Sequence, residues 1–381
     1  SESEGMDRVH MKMPQNQLEL INAVAQMNKE LIVVVSAGSV VEMPWIKKAK
    51  AVLHGYLGGQ AGASAMLDVI TGKVNPSGKL NETYPICYED TPAYAYYPGK
   101  ERNSEYREGV YVGYRYYDTV KKEVLFPFGF GLSYTDFTYS NLKLSENSVR
   151  FCITNVGKIA GAEIAQLYIE KENPAVFRPV HELKGFCKVF LQPGETREVE
   201  IPFENRTFKY FNVQTGNWET EEGNYKIMIA KNSRETVLQG EIYRKGTGAE
   251  NPYKELPDVY QTGHIENITD EAYEKLLGHR IPDGIWKGEL EKNDAFCQLY
   301  YAKGAVGRLI YRILDKMLKD SEKKGEANLD ILFFYNMPFR GLVNTTHGIF
   351  TNGMVDGFVK IVNGHILSGL GKMIGAAILR K

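Results

Sequence analysis

The chain has 381 residues. At about 100–200 residues per domain, two or three domains are expected. With 43% hydrophobic and 24% charged residues there is apolar material for a sizeable core, and the formal net charge of −1 supplies no global field to recruit nucleic acid or an anionic membrane.

Residues 1–90 read as α/β. The sequence opens Ser1-Glu2-Ser3-Glu4, without an initiator Met or a signal peptide, as a processed start or a fragment would. From Pro14 to Glu30 the apolar residues Leu18, Ile21, Val24 and Ala25 recur at helical spacing. Leu31 to Val35 is a continuous run rich in β-branched residues, suited to a buried parallel strand. Ala51-Val52-Leu53 makes a second short strand. Gly58-Gly59 then turns the chain into a helix over Gln60–Thr71, with Gly72 as its C-terminal cap. Alternating helix and strand predict part of a layered α/β sandwich.

Residues 91–135 are rich in Tyr, Pro and Gly and lack periodicity. They read as a long ordered loop packed by aromatics, connecting two domains. Most of the 24 Tyr and 17 Phe are expected in cores or on sheet faces, with a minority free to line a sugar site. Residues 136–245 are all-β. Strands are expected at Phe137–Leu144, Val149–Thr154, Glu163–Ile169, His181–Phe190, Arg197–Pro202, Tyr225–Ala230 and Val237–Tyr243, separated by turns such as Gln192-Pro193-Gly194. Seven short strands in this span fit an immunoglobulin-like sandwich. Residues 246–381 read as a polar linker to Pro257 and then an α-helical extension, with helices at Asp270–Leu277, Asp294–Ser321 and Met354–Lys381. From Gly304 onward there are 11 Lys/Arg against 6 Asp/Glu. The glycine-dotted stretch Ile366–Leu379 suits either a membrane surface or packing against protein, and protein packing is the favoured reading.

Cys87, Cys152, Cys187 and Cys297 form no CxxC pair. That argues against a metal centre and against a disulfide framework, and predicts free thiols in a reducing, cytoplasmic setting. No GxSxG elbow is present, since Gly62-Ala63-Ser64-Ala65-Met66 fails at its last position, and no phosphate loop has the required spacing. His54 and His181 read as structural or exposed.

Four motifs stand in order along the chain: Ser3-Glu4-Gly5-Met6-Asp7-Arg8; Gly72-Lys73-Val74-Asn75-Pro76-Ser77-Gly78-Lys79-Leu80 with Thr83-Tyr84-Pro85; Tyr111-Val112-Gly113-Tyr114-Arg115-Tyr116-Tyr117-Asp118 with Phe126 to Thr135; and Glu182-Leu183-Lys184-Gly185-Phe186 with Leu191-Gln192-Pro193-Gly194. Together they resemble family 3 glycoside hydrolases of the bacterial β-glucosidase type, over residues 3–245. The resemblance implies a carboxy-terminal portion of such an enzyme: part of the α/β sandwich domain, a fibronectin type III-like domain and a helical tail. It implies retaining hydrolysis of terminal β-D-glucosyl residues without metal or organic cofactor, on a β-linked oligosaccharide or glucoside. Glu4 would be the general acid/base, with Glu2 its local competitor, and Asp7 and Arg8 would support the loop that carries it. The family's barrel domain, with its nucleophile in a Ser-Asp-Trp-type motif, has no counterpart in these residues. That missing domain is an expected partner, a homo-oligomer is a further possibility, and the residues by themselves are expected to be inactive. β-Xylosidase or β-N-acetylglucosaminidase specificity, and a non-catalytic carbohydrate-binding or assembly role, stand as alternatives.

Overall fold

A computed structural model describes residues 8, 10–99, 103–284, 288–323 and 328–379. The chain divides into two compact units. One is formed by residues 10–97 and 104–282, the other chiefly by residues 283–381.

In the first unit, helix α1 (Gln15–Met27) starts behind Pro14 and ends where Asn28 turns extended. It buries Ile21 against Val33, Val35, Met43 and Trp45. Strands β1 (Ile32–Val35) and β2 (Ala51–His54) pair in parallel, Ile32 opposite Ala51. The expectation of a buried strand holds for one face of β1. Val33 and Val35 are covered, while Ile32 and Val34 are 49% and 42% exposed. The reason is that this sheet has two strands, and helix α1 and its neighbours close one side of it. Helix α2 (Gly62–Ile70) follows, and Gly72 adopts the left-handed conformation expected of a cap.

The segment after α2 is joined to the chain that leads into the β-sandwich. Backbone bonds link Leu80 with Phe130 and Gly129, and Tyr84 with Leu125 and Phe126. The backbones come so close that a Cβ on Gly131 would lie 2.4 Å from the Gly78 carbonyl oxygen, so only glycine fits there.

Residues 91–135 contain a short helix, α3 (Tyr114–Thr119), rather than loop alone. Its buried Tyr116 and Tyr117 join Tyr111 and pack with Tyr260, Ile265, Ile268 and Tyr273. The expected division at 245/246 is corrected here: residues 246–282, expected with the linker and helical extension, belong to this unit, through helices α4 (Asp258–Thr262) and α5 (Asp270–Leu277). Helix α5 shows the sequence logic of a capped helix: the Thr269 hydroxyl accepts from the Ala272 amide, acidic Asp270 and Glu271 fill the first turn, and Gly278 closes it.

The sandwich between them has two antiparallel sheets. Strands β3 (Phe137–Leu144), β4 (Ser148–Asn155) and β7 (Thr196–Pro202) form one, in the order β3-β4-β7. Strands β5 (Gly161–Lys171), β6 (Glu182–Leu191), β10 (Gly223–Ala230) and β11 (Thr236–Arg244) form the other, in the order β11-β10-β5-β6. Alternate residues point inward as the period of two requires: Val149, Phe151 and Ile153 on β4 meet Leu167, Ile169, Ile227 and Ile229 from the facing sheet. All seven expected strands are present. An added hairpin, β8 (Lys209–Asn212) with β9 (Asn217–Thr220), lacks an alternating apolar pattern. It is built on a turn in which Asn212 Oδ1 accepts from the Gln214 and Thr215 amides.

The second unit is helical. A 3-10 segment, Phe296–Tyr301, leads to α6 (Ala305–Lys323), α7 (Leu329–Asn336), α8 (Gly341–Thr345), α9 (Asn352–Val362) and α10 (Ile366–Ile378). Its core holds Phe296, Leu299, Met337, Phe339, Val355 and Val362. Two long helices expected here are each broken. The first breaks at 302–304, where the Gly304 amide bonds to the Val362 carbonyl. The second breaks at Gly364, whose φ of +99° a side chain would resist. Asn363 pins that break: its amide donates to the Leu290 carbonyl and accepts from the Leu290 amide, both at 2.8 Å.

Candidate active-site segment and its supporting motifs

The first motif is the candidate for chemistry, and Glu2, Glu4 and Asp7 lie outside the described residues. Arg8 is described and is partly buried. Immediately after it the chain is anchored. The Met11 carbonyl accepts from the Glu42 amide at 2.8 Å, and Met13 Sδ accepts from the indole of buried Trp45 at 3.3 Å.

The second and third motifs interlock. Asn75 Oδ1 accepts from the Ser133 hydroxyl at 3.0 Å and the Tyr134 amide at 2.8 Å, while its Nδ2 donates to the Ala160 carbonyl at 3.1 Å. One side chain thus ties the end of the α/β layer to the entry and to the β4–β5 turn of the sandwich. Lys79 adds a mostly buried ion pair with Glu163 at 3.1 Å and a bond to the Gly131 carbonyl. These contacts make the Asn-Pro-Ser-Gly-Lys segment a joint, not a ligand loop.

The Tyr-rich segment is held in the same way. Arg107, nearly buried, donates to the Ile268 carbonyl at 2.9 Å and pairs with Asp270 at 2.6 Å and Glu105. Its guanidinium lies 4.5 Å from the ring centre of Tyr96 and 5.1 Å from that of Tyr273. Tyr96 Oη both donates to the Ile268 carbonyl and accepts from the Ile268 amide. Tyr111 donates to the Tyr260 carbonyl at 2.6 Å. Burial pushes the Tyr111 and Tyr260 phenols up to about 12, so both stay protonated donors at neutral pH. Beside them, Glu108 is buried, and its Oε2 finds no hydrogen-bond partner. Desolvation raises its carboxyl above the ordinary value, and its own backbone amide partly offsets this.

Both histidines considered from the sequence are engaged in structure. His54 Nε2 bonds to the Ala37 carbonyl, its Nδ1 meets the Tyr84 hydroxyl, and its ring stacks on Tyr56 at 3.9 Å. His181 meets Asp118 at 3.1 Å beneath the Tyr114 ring, and Asp118 also takes Arg234 at 2.6 Å. The four cysteines are free thiols, and burial raises those of Cys87 and Cys187 to about 11. Among the described residues there is no group of three His, Cys, Asp or Glu able to hold a metal ion.

The joint made by Asn75, whose segment stood in the second motif without a role, and the anchoring by Arg107 are what sequence reasoning passed over. The Asn-Pro pair at 75–76 was the one available signal, since it marks a turn. The partners of Arg107 at 268 and 270 are distant in sequence and left no trace in it.

An α/β layer joined by an aromatic segment to an immunoglobulin-like sandwich makes this a multidomain protein of mixed α/β and all-β architecture. Residues 1–134 match the glycosyl hydrolase family 3 C-terminal domain, and residues 163–233 match the fibronectin type III-like domain. Over these stretches the chain is similar to the carboxy-terminal portion of family 3 glycoside hydrolases. It is 50% identical over 249 residues to thermostable β-glucosidase B of Acetivibrio thermocellus, covering 63% of this chain and 33% of that protein. It is 41% identical over 261 residues to an exo-α-(1→6)-L-arabinopyranosidase of Bifidobacterium breve, covering 67% and 34%. Among solved structures, the family 3 β-glucosidase of Bifidobacterium adolescentis is similar with a TM-score of 0.63 and 40% identity, over 72% of this chain and 41% of that one. The chain therefore spans about a third of the length of the curated relatives it matches.

Proposed function

We propose that the protein to which this chain contributes hydrolyses terminal non-reducing β-D-glucosyl residues with retention of configuration. The observation that carries this reading is the 50% identity over 249 residues with a protein named a β-glucosidase. Retention requires two carboxyl groups about 5–5.5 Å apart. One attacks the anomeric carbon and forms a glycosyl-enzyme; the other protonates the leaving oxygen and later takes a proton from the attacking water. Glu4 is proposed for the second role and the Asp7–Arg8 pair for holding its loop. The nucleophile belongs to a barrel domain outside these residues, so residues 1–381 alone are expected to be inert. The substrate is a β-linked oligosaccharide or glucoside, and the reaction as proposed needs no cofactor.

A second reading keeps the family and changes the sugar, and the arabinopyranosidase relative at 41% identity supports it. β-Xylosidase and β-N-acetylglucosaminidase specificities fall under the same reading, because contacts to the cleaved sugar would come largely from the barrel. A non-catalytic carbohydrate-binding role is the reading left if no barrel acts with this chain.

The test uses the barrel joined to this chain, or supplied in trans. Nitrophenyl β-glucoside should be cleaved at least tenfold faster than nitrophenyl α-L-arabinopyranoside; the reverse order selects the second reading. Glu4→Gln should slow cellobiose cleavage by ~10²–10⁴-fold. Release of an acidic nitrophenol, which needs little protonation, should slow far less, and azide should rescue deglycosylation as a β-glycosyl azide. Equal slowing of both substrates with no azide product removes Glu4 from the role and makes Glu2 the next position to test.

A further inference from the structure

The stretch that follows the first motif is seated on the loop that leaves β1. That loop, residues 36–45, is closely packed: Val40, Met43 and Trp45 are 6%, 4% and 2% exposed. Its start is tied to the end of β2, where His54 Nε2 bonds to the Ala37 carbonyl at 3.0 Å. Residues 11–13 meet its far end twice, through the Met11 carbonyl on the Glu42 amide and through Met13 Sδ on the Trp45 indole. The Met11 and Met13 side chains pack against the same cluster. The Glu42 carboxylate also accepts from the Tyr88 amide at 3.2 Å, which fixes the seat to the turn after Pro85.

The Trp45 indole N–H is the donor of this seat, and the Met13 sulfur is the acceptor it meets. A buried donor left without a partner costs about 1–3 kcal/mol, more than its bond contributes. Leucine at position 13 would match the volume of Met but offer no acceptor. Topology gives the seat its direction. In α/β layers, sites form beyond the carboxyl ends of parallel strands, and the loop that carries the seat leaves the carboxyl end of β1. Glu4 stands seven residues before Met11, while Pro14 begins the entry to α1 directly behind Met13. Helix α1 fixes the chain on that side, so movement released at Met13 passes toward the motif.

We propose that Met13 and Trp45 are positioning residues, their N–H···S contact holding the segment that presents the Glu4 carboxyl; this rests on the acid/base role proposed for Glu4. A displacement of about 1 Å can cost a catalytic group ~10²-fold in rate, so a contact of modest strength has a measurable effect on turnover.

The test uses the barrel joined to this chain, with cellobiose and the β-glucoside of an acidic nitrophenol as substrates. The quantity read is kcat/KM, which covers the step in which the leaving oxygen is protonated. Met13→Leu should lower kcat/KM for cellobiose by roughly tenfold and that for the nitrophenyl glucoside by less than about twofold. A loss of folded protein would lower both alike, and circular dichroism at the assay temperature certifies each variant as folded. Trp45→Phe removes the donor and keeps an aromatic ring, so it should give the same substrate pattern. The double variant should lose no more than the larger single loss, because the contact is already gone in each. Lys48→Ala breaks the bond to Asn22 elsewhere in the layer and should change neither value. Equal slowing of both substrates by Met13→Leu, no slowing, losses that multiply in the double variant, or the same pattern from Lys48→Ala overturns the proposal. Glu4→Gln measured alongside separates the two ways of failing. If it shows the leaving-group dependence and the Met13 and Trp45 variants do not, the positioning is wrong and the role of Glu4 stands. If Glu4→Gln shows none, that role falls and the positioning falls with it.

Discussion

Replacing Asn75 by Ala should loosen the joint between the α/β layer and the sandwich. Three hydrogen bonds disappear together: those from the Ser133 hydroxyl and the Tyr134 amide, and that to the Ala160 carbonyl. A net hydrogen bond contributes about 0.5–1.5 kcal/mol. Tyr134 is exposed, so water can replace Asn75 at its amide and that bond counts at the low end. The other two lie in a tighter place, since a Cβ on Gly161 would already stand 2.5 Å from Asn75 Nδ2. The expected loss is therefore about 2–3 kcal/mol. Asn75→Asp keeps both acceptor contacts and turns the third into an oxygen facing a carbonyl, so it should lose less than Ala unless that repulsion dominates. Urea denaturation followed by circular dichroism measures the change. The chain has several folding units, so the transition to read is the one that moves, fitted separately from the others. A loss below about 0.5 kcal/mol in Asn75→Ala would refute the joint, because a loss that small is no more than a neutral surface change gives.

Two further outcomes follow from the same structure. Glu108 has a folded-state carboxyl raised by burial, so as pH rises above the ordinary Glu value of about 4.3 the unfolded chain releases its proton first and stability falls until the folded group has also ionised. Glu108→Gln should therefore be more stable than the parent at neutral pH and equal to it below pH 4. Melts at the two pH values that show no difference in this gap would reject the assignment. Residues 136–245 expressed alone should melt cooperatively, because every buried residue of the sandwich core, from Phe137 to Ile229, lies inside that span. A disordered circular dichroism signal would show that the sandwich depends on its neighbours.

The sequence by itself determined the elements whose signal is local. The β-branched runs of residues 136–245 and turns such as Pro193-Gly194 specified seven strands, since inward-pointing residues such as Val149, Phe151 and Ile153 must alternate along each strand to share one core. Thr269, Asp270 and Gly278 delimited α5, since caps act within one turn. Motif order identified the family, and with it the candidate role of Glu4. Only the tertiary structure decided what depends on partners far along the chain. It turned the Tyr-rich loop and the first helices of the expected extension into one packed body, through Arg107 with Asp270 and Tyr96 with Ile268, separations of more than 160 residues. It opened one face of β1 by leaving it in a two-stranded sheet, and it broke the tail helices where Gly304 meets the Val362 carbonyl and where Asn363 meets Leu290. Periodicity reports which face of an element is apolar. Whether that face is covered, and by what, is settled by groups that no local pattern names.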